Sequence, residues 1–286
     1  MNEFDISRDN KRYYTQNRFL RETFGEKVIK LSVNTGLSCP NRDGKCGTGG
    51  CIYCSPMLSG DFSGNSGSTI TDQMTEQIKL LSGKWKSSSY IAYFQAGTNT
   101  YAPVNTLRAF YNEALAFPGT RGITIATRAD CLSDEITELL SELSEHTFLT
   151  VELGLQTIHD KTAELINRGH SFSTFIRGFS KLKERGIRTC IHMINGLPGE
   201  TYEMMMETAE TVSSLHPGSV KIHMLHIIRG TKLAEMYTAD PFPLPDRDEY
   251  ISLVCDQIEI MAPDTVIERV TGDGDKKNTY SSAVDL

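Results

Sequence analysis

No stretch of the 286 residues is apolar for long enough to cross a membrane. The N-terminus, MNEFDISRDNKRYY, carries no apolar run behind its charges, so no secretory leader is expected and a reducing cytoplasm is the expected setting. That setting disfavours disulfides, and seven cysteines, an odd count, do not make a disulfide framework. Positive charge is scarce too. A net charge of −7 and a pI near 5.6 exclude a protein that coats nucleic acid non-specifically, because no global positive field exists to release counterions. A local basic surface survives from Asn10 to Lys30, where Lys11, Arg12, Arg18, Arg21 and Lys27 interleave with Tyr13, Tyr14 and Phe19. That mixture suits RNA, with cations for phosphates and rings for bases; a solvated arm whose aromatics dock on the core is the competing interpretation.

What the chain does have is a dense cysteine loop. CPNRDGKCGTGGCIYC, from Cys39 to Cys54, holds four of the seven cysteines in a polar, glycine-rich stretch that offers a thiol no apolar core. A metal centre is the economical explanation. Cys51 and Cys54, with two residues between them, can reach one metal or cluster from a single turn, and either Cys39 or Cys46 supplies a third thiolate.

Around this loop, strands alternate with helices. Strands are expected at Lys27–Val33, Tyr90–Phe94, Gly122–Thr127, Phe148–Leu153, Ile187–Ile194 and Val220–Ile227. Helices are expected from a Thr71 or Asp72 cap to Trp85, then at Val104–Phe117, Ser133–His146, Lys161–Asn167, Phe172–Arg185 and Tyr202–Leu215. This α/β order calls for a parallel sheet with right-handed crossovers. Six units are too few for a closed eight-fold barrel and fit a partial (β/α)6 TIM-like barrel, or a doubly wound sheet. Either way ligands gather at the C-terminal strand ends, where the cysteine loop falls.

The expected organisation is a basic and aromatic arm over 1–26, the partial barrel over 27–228, a C-terminal helix and strand packing on it over 229–274, and a mobile tail over 275–286. Cys190, in RTCIHMI, and Cys255, in the stripe Ile251, Val254, Cys255, Ile258, are expected to pack in the core; Cys131, on the rim, serves either packing or substrate chemistry. His192, His223 and His226 lie in strands. A regular strand points residues 223 and 226 to opposite faces, so they form no chelating pair.

CPNRDG, the glycines before Cys51, FQAGTNTYAP at Phe94–Pro103 and NGLPGET at Asn195–Thr201 together resemble the radical S-adenosylmethionine superfamily, within it the YhcC/YtqA-like group. That group is related to the Elongator catalytic subunit, the methylthiotransferases and the oxygen-independent coproporphyrinogen oxidases. The resemblance implies a 4Fe-4S cluster on Cys39, Cys51 and Cys54, with Cys46 a bystander, and an open iron for S-adenosylmethionine, which is cleaved reductively to a 5′-deoxyadenosyl radical. It implies an aromatic slot at Tyr53 beside the adenine, methionine-ammonium contacts along Gln95, Gly97, Thr98 and Asn99, and a similar position for Thr127 and Arg128. Gly97 stands where the group is expected to carry an aromatic residue. Arg168 is aimed at the methionine carboxylate, and Met193, Asn195, Gly196, Leu197 and Pro198 run along the adenine. Glu152 and Gln156 bracket the fourth strand's end; a buried glutamate there takes either the ribose hydroxyls or an arginine such as Arg168 as partner.

Asp246–Met261 is expected as an amphipathic helix and Thr265–Val270 as a strand covering one edge of the barrel, while KKNTYSSAVDL is shorter than the group's tryptophan-containing tail. Kinship implies an enzyme that modifies tRNA at the C5 side chain of a wobble uridine, drawing electrons from a donor such as flavodoxin or ferredoxin; a non-RNA small molecule is the alternative substrate. The alternative from another class is a zinc-stabilised binding module with Cys39, Cys46, Cys51 and Cys54 as a closed site.

Overall fold

Alternation along each strand decides which side chains meet the helices and which face the opposite way. The structure, a computed structural model, describes residues 9–58, 63–272 and 279–282. Its strands are β1 (Val28–Val33), β2 (Ser89–Phe94), β3 (Thr120–Thr127), β4 (Phe148–Gln156), β5 (Arg188–Asn195), β6 (Ser219–Met224), β7 (His226–Ile228), β8 (Val266–Arg269) and β9 (Thr279–Ser282). The helices are α1 (Gln16–Phe24), α2 (Ile70–Leu81), α3 (Val104–Ala116), α4 (Asp134–His146), α5 (Asp160–Leu165), α6 (Phe172–Glu184), α7 (Tyr202–Ser214), α8 (Lys232–Ala239) and α9 (Arg247–Glu259).

Seven parallel strands form one sheet in the order β1-β2-β3-β4-β5-β6-β8, curled into a half-barrel with helices outside. The expected partial barrel is therefore present. The C-terminal strand does more than cover an edge, because β8 joins the sheet beside β6 as its seventh member. The core lies between sheet and helices: Leu31, Phe94, Ile125, Leu153, Ile191, Met193 and Ile222 pack there with Leu107, Tyr111, Leu139, Phe175 and Val212. The intervening residues line a concave lumen and are largely polar: Lys30, Tyr93, Thr124, Glu152, His192, Lys221 and His223.

From Tyr14 onward the N-terminal arm is docked. Thr15 bridges Ile267 of β8, and the Ile267 N–H donates to the Tyr14 carbonyl at 2.8 Å. Phe19 and Phe24 pack on Phe148 at ring separations of 6.0 and 5.2 Å, and the Arg188 guanidinium lies 4.0 Å from the Phe19 ring centre. Phe148 and Arg188 begin β4 and β5, so α1 seals the N-terminal end of the barrel, opposite the cysteine loop. Its aromatics serve packing there. Across the seam, Lys30 of β1 reaches Glu268 of β8 at 2.8 Å.

Several local expectations change. Thr69, ahead of the expected Thr71 or Asp72, caps α2 by accepting from the Asp72 N–H at 3.1 Å. The strand expected through Ile227 ends at Met224, the last β5–β6 ladder bond running from the Leu225 N–H to the Asn195 carbonyl at 3.0 Å. The chain then forms β7, which pairs antiparallel with β9; Thr279–Ser282 of the expected tail is thus sheet, while residues 275–278 and 283–286 lie outside the described residues. On α9 the buried face is Tyr250, Leu253, Val254 and Gln257, leaving Ile251 and Cys255 exposed and overturning the expected core place of Cys255. Among the described residues no helix is long and apolar enough to cross a membrane.

Candidate cofactor and substrate site

The cysteine loop leaves the C-terminal end of β1 and is wired by its own polar residues. Asn41 Nδ2 donates to the Asn167 carbonyl at 2.5 Å and approaches Cys51 Sγ at 3.8 Å, while Asn167 Nδ2 returns to the Gly50 carbonyl at 2.7 Å. Arg42 donates to the carbonyls of Cys54, Ser55 and Pro56 at 3.1, 2.5 and 3.1 Å. The Asn and Arg of CPNRDG therefore scaffold the cysteine loop. Asn41, Arg42 and Asn167 enter the site only through the structure; the clustering of side-chain donors beside the cysteines is the signal that marks the first two.

Cys39, Cys51 and Cys54 are half-buried, whereas Cys46 is exposed and lies 3.6 Å from Arg128 Nη2. Burial pushes the Cys51 thiol up, opposed by hydrogen bonds from Tyr53 and Asn41. Arg128, at the end of β3, pairs with Asp130 at 2.8 Å and donates to the Arg168 carbonyl at 2.8 Å. Cys131 is pushed up to about 12 by burial and by Asp130, which leaves little thiolate at neutral pH.

Arg168 is buried and mostly committed to the backbone. Nη1 donates to the carbonyls of Leu155 and Thr157 at 2.5 and 2.6 Å and Nε to that of His170 at 3.0 Å. Nη2 has Asp160 at 3.5 Å and no hydrogen bond among the described residues. Tyr53, Ile194 and Leu197 share a small apolar cluster with Ile52 and Ile166, which brings Leu197 beside the cysteine loop; Gly196 and Pro198 flank it, buried.

The strand ends sort the remaining expected contacts. Gln95 is half-buried at the end of β2, and the Thr98 N–H donates to the Ser38 carbonyl at 3.1 Å. Asn99 is turned inward: Nδ2 serves the carbonyls of Phe94, Ala96 and Ala126 at 3.1, 3.2 and 3.1 Å, while Oδ1 accepts from Thr35 at 3.0 Å. It pins β2 and β3 to the loop after β1, which uses up its side chain. Gly97 has φ +74°, and a Cβ there would overlap the Leu37 carbonyl oxygen, so the expected aromatic residue cannot be accommodated. Thr127 meets Thr100 at 2.6 Å. Met193 lies in the helix-side core and the Asn195 amide pairs with that of Gln257 at 2.9 and 3.0 Å, so alternation points both side chains away from the lumen. Gln156, at φ +64°, folds its amide over Gly154.

Glu152 sits inside the lumen with partners on four other strands. Its carboxylate accepts from Lys221 at 2.6 Å, Tyr93 at 2.7 Å, His192 at 2.9 Å and Lys30 at 3.2 Å. These donors stand in place of the expected Arg168, whose guanidinium is committed elsewhere. Burial alone raises the Glu152 carboxyl, but Lys221 and Lys30 with the His192 hydrogen bond hold it well below the usual carboxylate range. Cys190 is buried beside this network, on the lumen side of β5, and with Glu152 and His192 it offers three close ligand atoms. Two ammonium groups already neutralise the site, which disfavours a metal cation. His192 and His223 rings stand 5.1 Å apart, and His226 Nε2 lies 3.0 Å from the Gly272 carbonyl oxygen. The break at Leu225 brings residues 223 and 226 to the same place around Gly272, which overturns their expected opposite facing.

A parallel half-barrel with a thiol loop on the C-terminal rim and a polar lumen below defines the class of enzymes that perform radical chemistry at an iron–sulfur cluster. The chain belongs to the Radical SAM superfamily, matched over residues 38–212, with residues 217–284 matching the Radical_SAM C-terminal domain. It is 48% identical over 273 residues to YtqA of Bacillus subtilis, covering 96% of this chain and 85% of that one. A tRNA uridine(34) acetyltransferase of Methanocaldococcus infernus is 32% identical over 136 residues, 46% of this chain and 25% of that one. The solved structure of the archaeal Methanocaldococcus infernus Elp3 superposes with a TM-score of 0.68 at 19% identity, covering 88% of this chain and 58% of that chain, a likeness of fold.

The enzyme is thus a radical SAM enzyme, a family that uses a 4Fe-4S cluster and S-adenosylmethionine. The residues present fit those groups: half-buried thiols, the Asn41 amide against one of them, Arg128 and Arg168 nearby to offset thiolate charge, and a buried Arg168 Nη2 without a hydrogen bond. The four-thiolate zinc module gives way to this assignment.

Proposed function

We propose that this radical SAM enzyme modifies tRNA at the C5 side chain of a wobble uridine, with Cys39, Cys51 and Cys54 holding the cluster and Cys46 outside it. The observation that carries the substrate is the likeness over 136 residues to an enzyme whose name specifies tRNA uridine 34. The difference in exposure among the cysteines supports the ligand choice: three half-buried thiols against one exposed beside Arg128.

When bound, the cluster and S-adenosylmethionine supply one-electron reductive cleavage and a carbon radical that takes hydrogen from unactivated carbon. The chain's own residues bind and exclude. Arg168 Nη2 is the donor left for the methionine carboxylate. Tyr53, Ile194 and Leu197 form an apolar wall for the adenine, and Gln95, Thr98 and Gln156 edge the pocket. Below them the closed lumen floor keeps water from the reacting carbon. The arm's aromatics are spent on packing at the sealed end, so tRNA reaches the reacting carbon from the rim. A small electron-transfer protein such as flavodoxin or ferredoxin supplies the electron, and the cytoplasm is the setting.

Nucleoside profiling of tRNA from a strain lacking the gene tests the substrate. The expected result is loss of one C5-modified uridine and accumulation of its precursor. Unchanged nucleosides would exclude tRNA and direct the search to small molecules.

A further inference from the structure

The lumen above Glu152 is lined by imidazoles that the cofactor contacts do not use. His192 comes from β5, His223 from β6 and His226 from β7, and Gly272 lies against the last two: a Cβ there would meet His226 Nε2 at 3.3 Å and His223 Nδ1 at 3.9 Å. His192 is fixed from below by Glu152 at 2.9 Å. His223 Nε2 is buried and has no hydrogen-bond partner among the described residues. An imidazole nitrogen shielded from bulk water and left unpaired carries a desolvation cost unless a ligand engages it.

The charge around this nitrogen gives the ligand a sign. Lys30 and Lys221 are balanced by Glu152 and Glu268 through contacts of 2.6 to 3.2 Å. Arg269, opposite Lys221 in the β6–β8 register, is solvent-exposed, makes no ion pair among the described residues, and is near enough for its charge to act on His223. Burial, the neighbouring His192, Arg269 and Lys221 all act to keep His223 uncharged, with Glu152 the opposing influence. With its proton on Nε2 the neutral imidazole would donate one hydrogen bond, and in a field with one surplus positive charge that matches a monoanion better than a phosphate dianion.

We propose that His223, flanked by His192 and His226, binds a carboxylate of the substrate and so holds the reacting carbon in the lumen. The proposal rests on the lumen being the substrate chamber of the radical reaction; it does not require the substrate to be tRNA. His223 is a binding residue here, and the imidazoles need exchange no proton with the substrate.

The test uses the reconstituted enzyme with S-adenosylmethionine, labelled at the histidine ring carbons, and follows those resonances during titration with acetate, methylammonium and inorganic phosphate. Acetate is expected to shift the His223 and His192 signals saturably, and methylammonium to leave them unmoved. His223→Phe should weaken acetate by about tenfold or more, and His223→Gln, which keeps a donor, should recover part of that loss. Equal responses to acetate and methylammonium, tighter binding of phosphate, or unchanged acetate affinity in His223→Phe would overturn the assignment. If His223→Phe does not fold, the wild-type titration and His223→Gln decide alone. Unchanged tRNA nucleosides alongside intact acetate binding would remove the tRNA substrate and keep this subsite; altered tRNA without acetate binding would do the reverse.

Discussion

Glu152→Gln removes one negative charge from a buried group that serves four donors, and its consequence can be worked through. The substitution leaves Lys30 and Lys221 with Glu268 as the remaining carboxylate, at 2.8 and 3.9 Å, and turns an amide N–H₂ toward groups that themselves donate. Breaking a buried ion pair by removing one partner costs about 3–5 kcal/mol, because the surviving charge stays desolvated. For a chain of this size that loss corresponds to a fall in melting temperature of roughly 5–8 °C. The measurement is thermal unfolding by circular dichroism under anaerobic conditions, at matched iron content, with Lys221→Met and the double variant alongside. The double variant should regain at least half of the loss, since it removes the orphaned ammonium. Glu152 and Glu268 are both held below the ordinary carboxylate value, so their stabilisation is complete above about pH 4.3 and disappears as pH falls through their depressed values. The acid limb of the stability profile should therefore be steeper in the wild type than in Glu152→Gln. A loss under about 1 kcal/mol, the size of an exposed pair, would refute the reasoning, as would a double variant no better than the single.

The other predictions concern the loop and the strand ends. Cys46→Ala should retain iron and sulfide after reconstitution, whereas Cys51→Ala should lose most of both; the assay is metal and sulfide content, and loss in Cys46→Ala would reverse the ligand choice. Asn99→Ala strips donors from three buried carbonyls and should destabilise the protein by about 2–4 kcal/mol, read by urea denaturation. Gly97→Ala combines a positive φ with an overlap on the Leu37 carbonyl, and should lower both the melting temperature and cluster occupancy, measured together on one preparation.

Much of the barrel was legible because strands and helices carry different periods. Leu31, Val33, Phe94 and Ile125 mark the helix-facing rows whether or not any partner is known. The cysteine loop was legible through density and placement after the first strand. The lumen was harder. Lys30, Glu152, Lys221 and Glu268 each stand within a strand at a position out of phase with the apolar row, a visible pattern, but Lys30 meets Glu152 across 122 residues and Glu268 across 238. No local rule sets such pairings. The facing of the fifth strand was hard for a related reason: Met193 and Asn195 point to the helix layer, and one residue of register separates them from His192 and Ile194 on the lumen side. The approach of His223 and His226 to Gly272 depended on the strand ending at Met224, which no local pattern in the sequence marks.

The meeting of Tyr14 and Thr15 with Ile267, beside the Lys30–Glu268 bridge, also bears on how the enzyme can be shortened. An open sheet of seven strands would be a trough with two ends; the arm makes it a cup. Trimming the first two dozen residues would unstopper the base and let water rise to Glu152 from beneath, although every cysteine would still be in place.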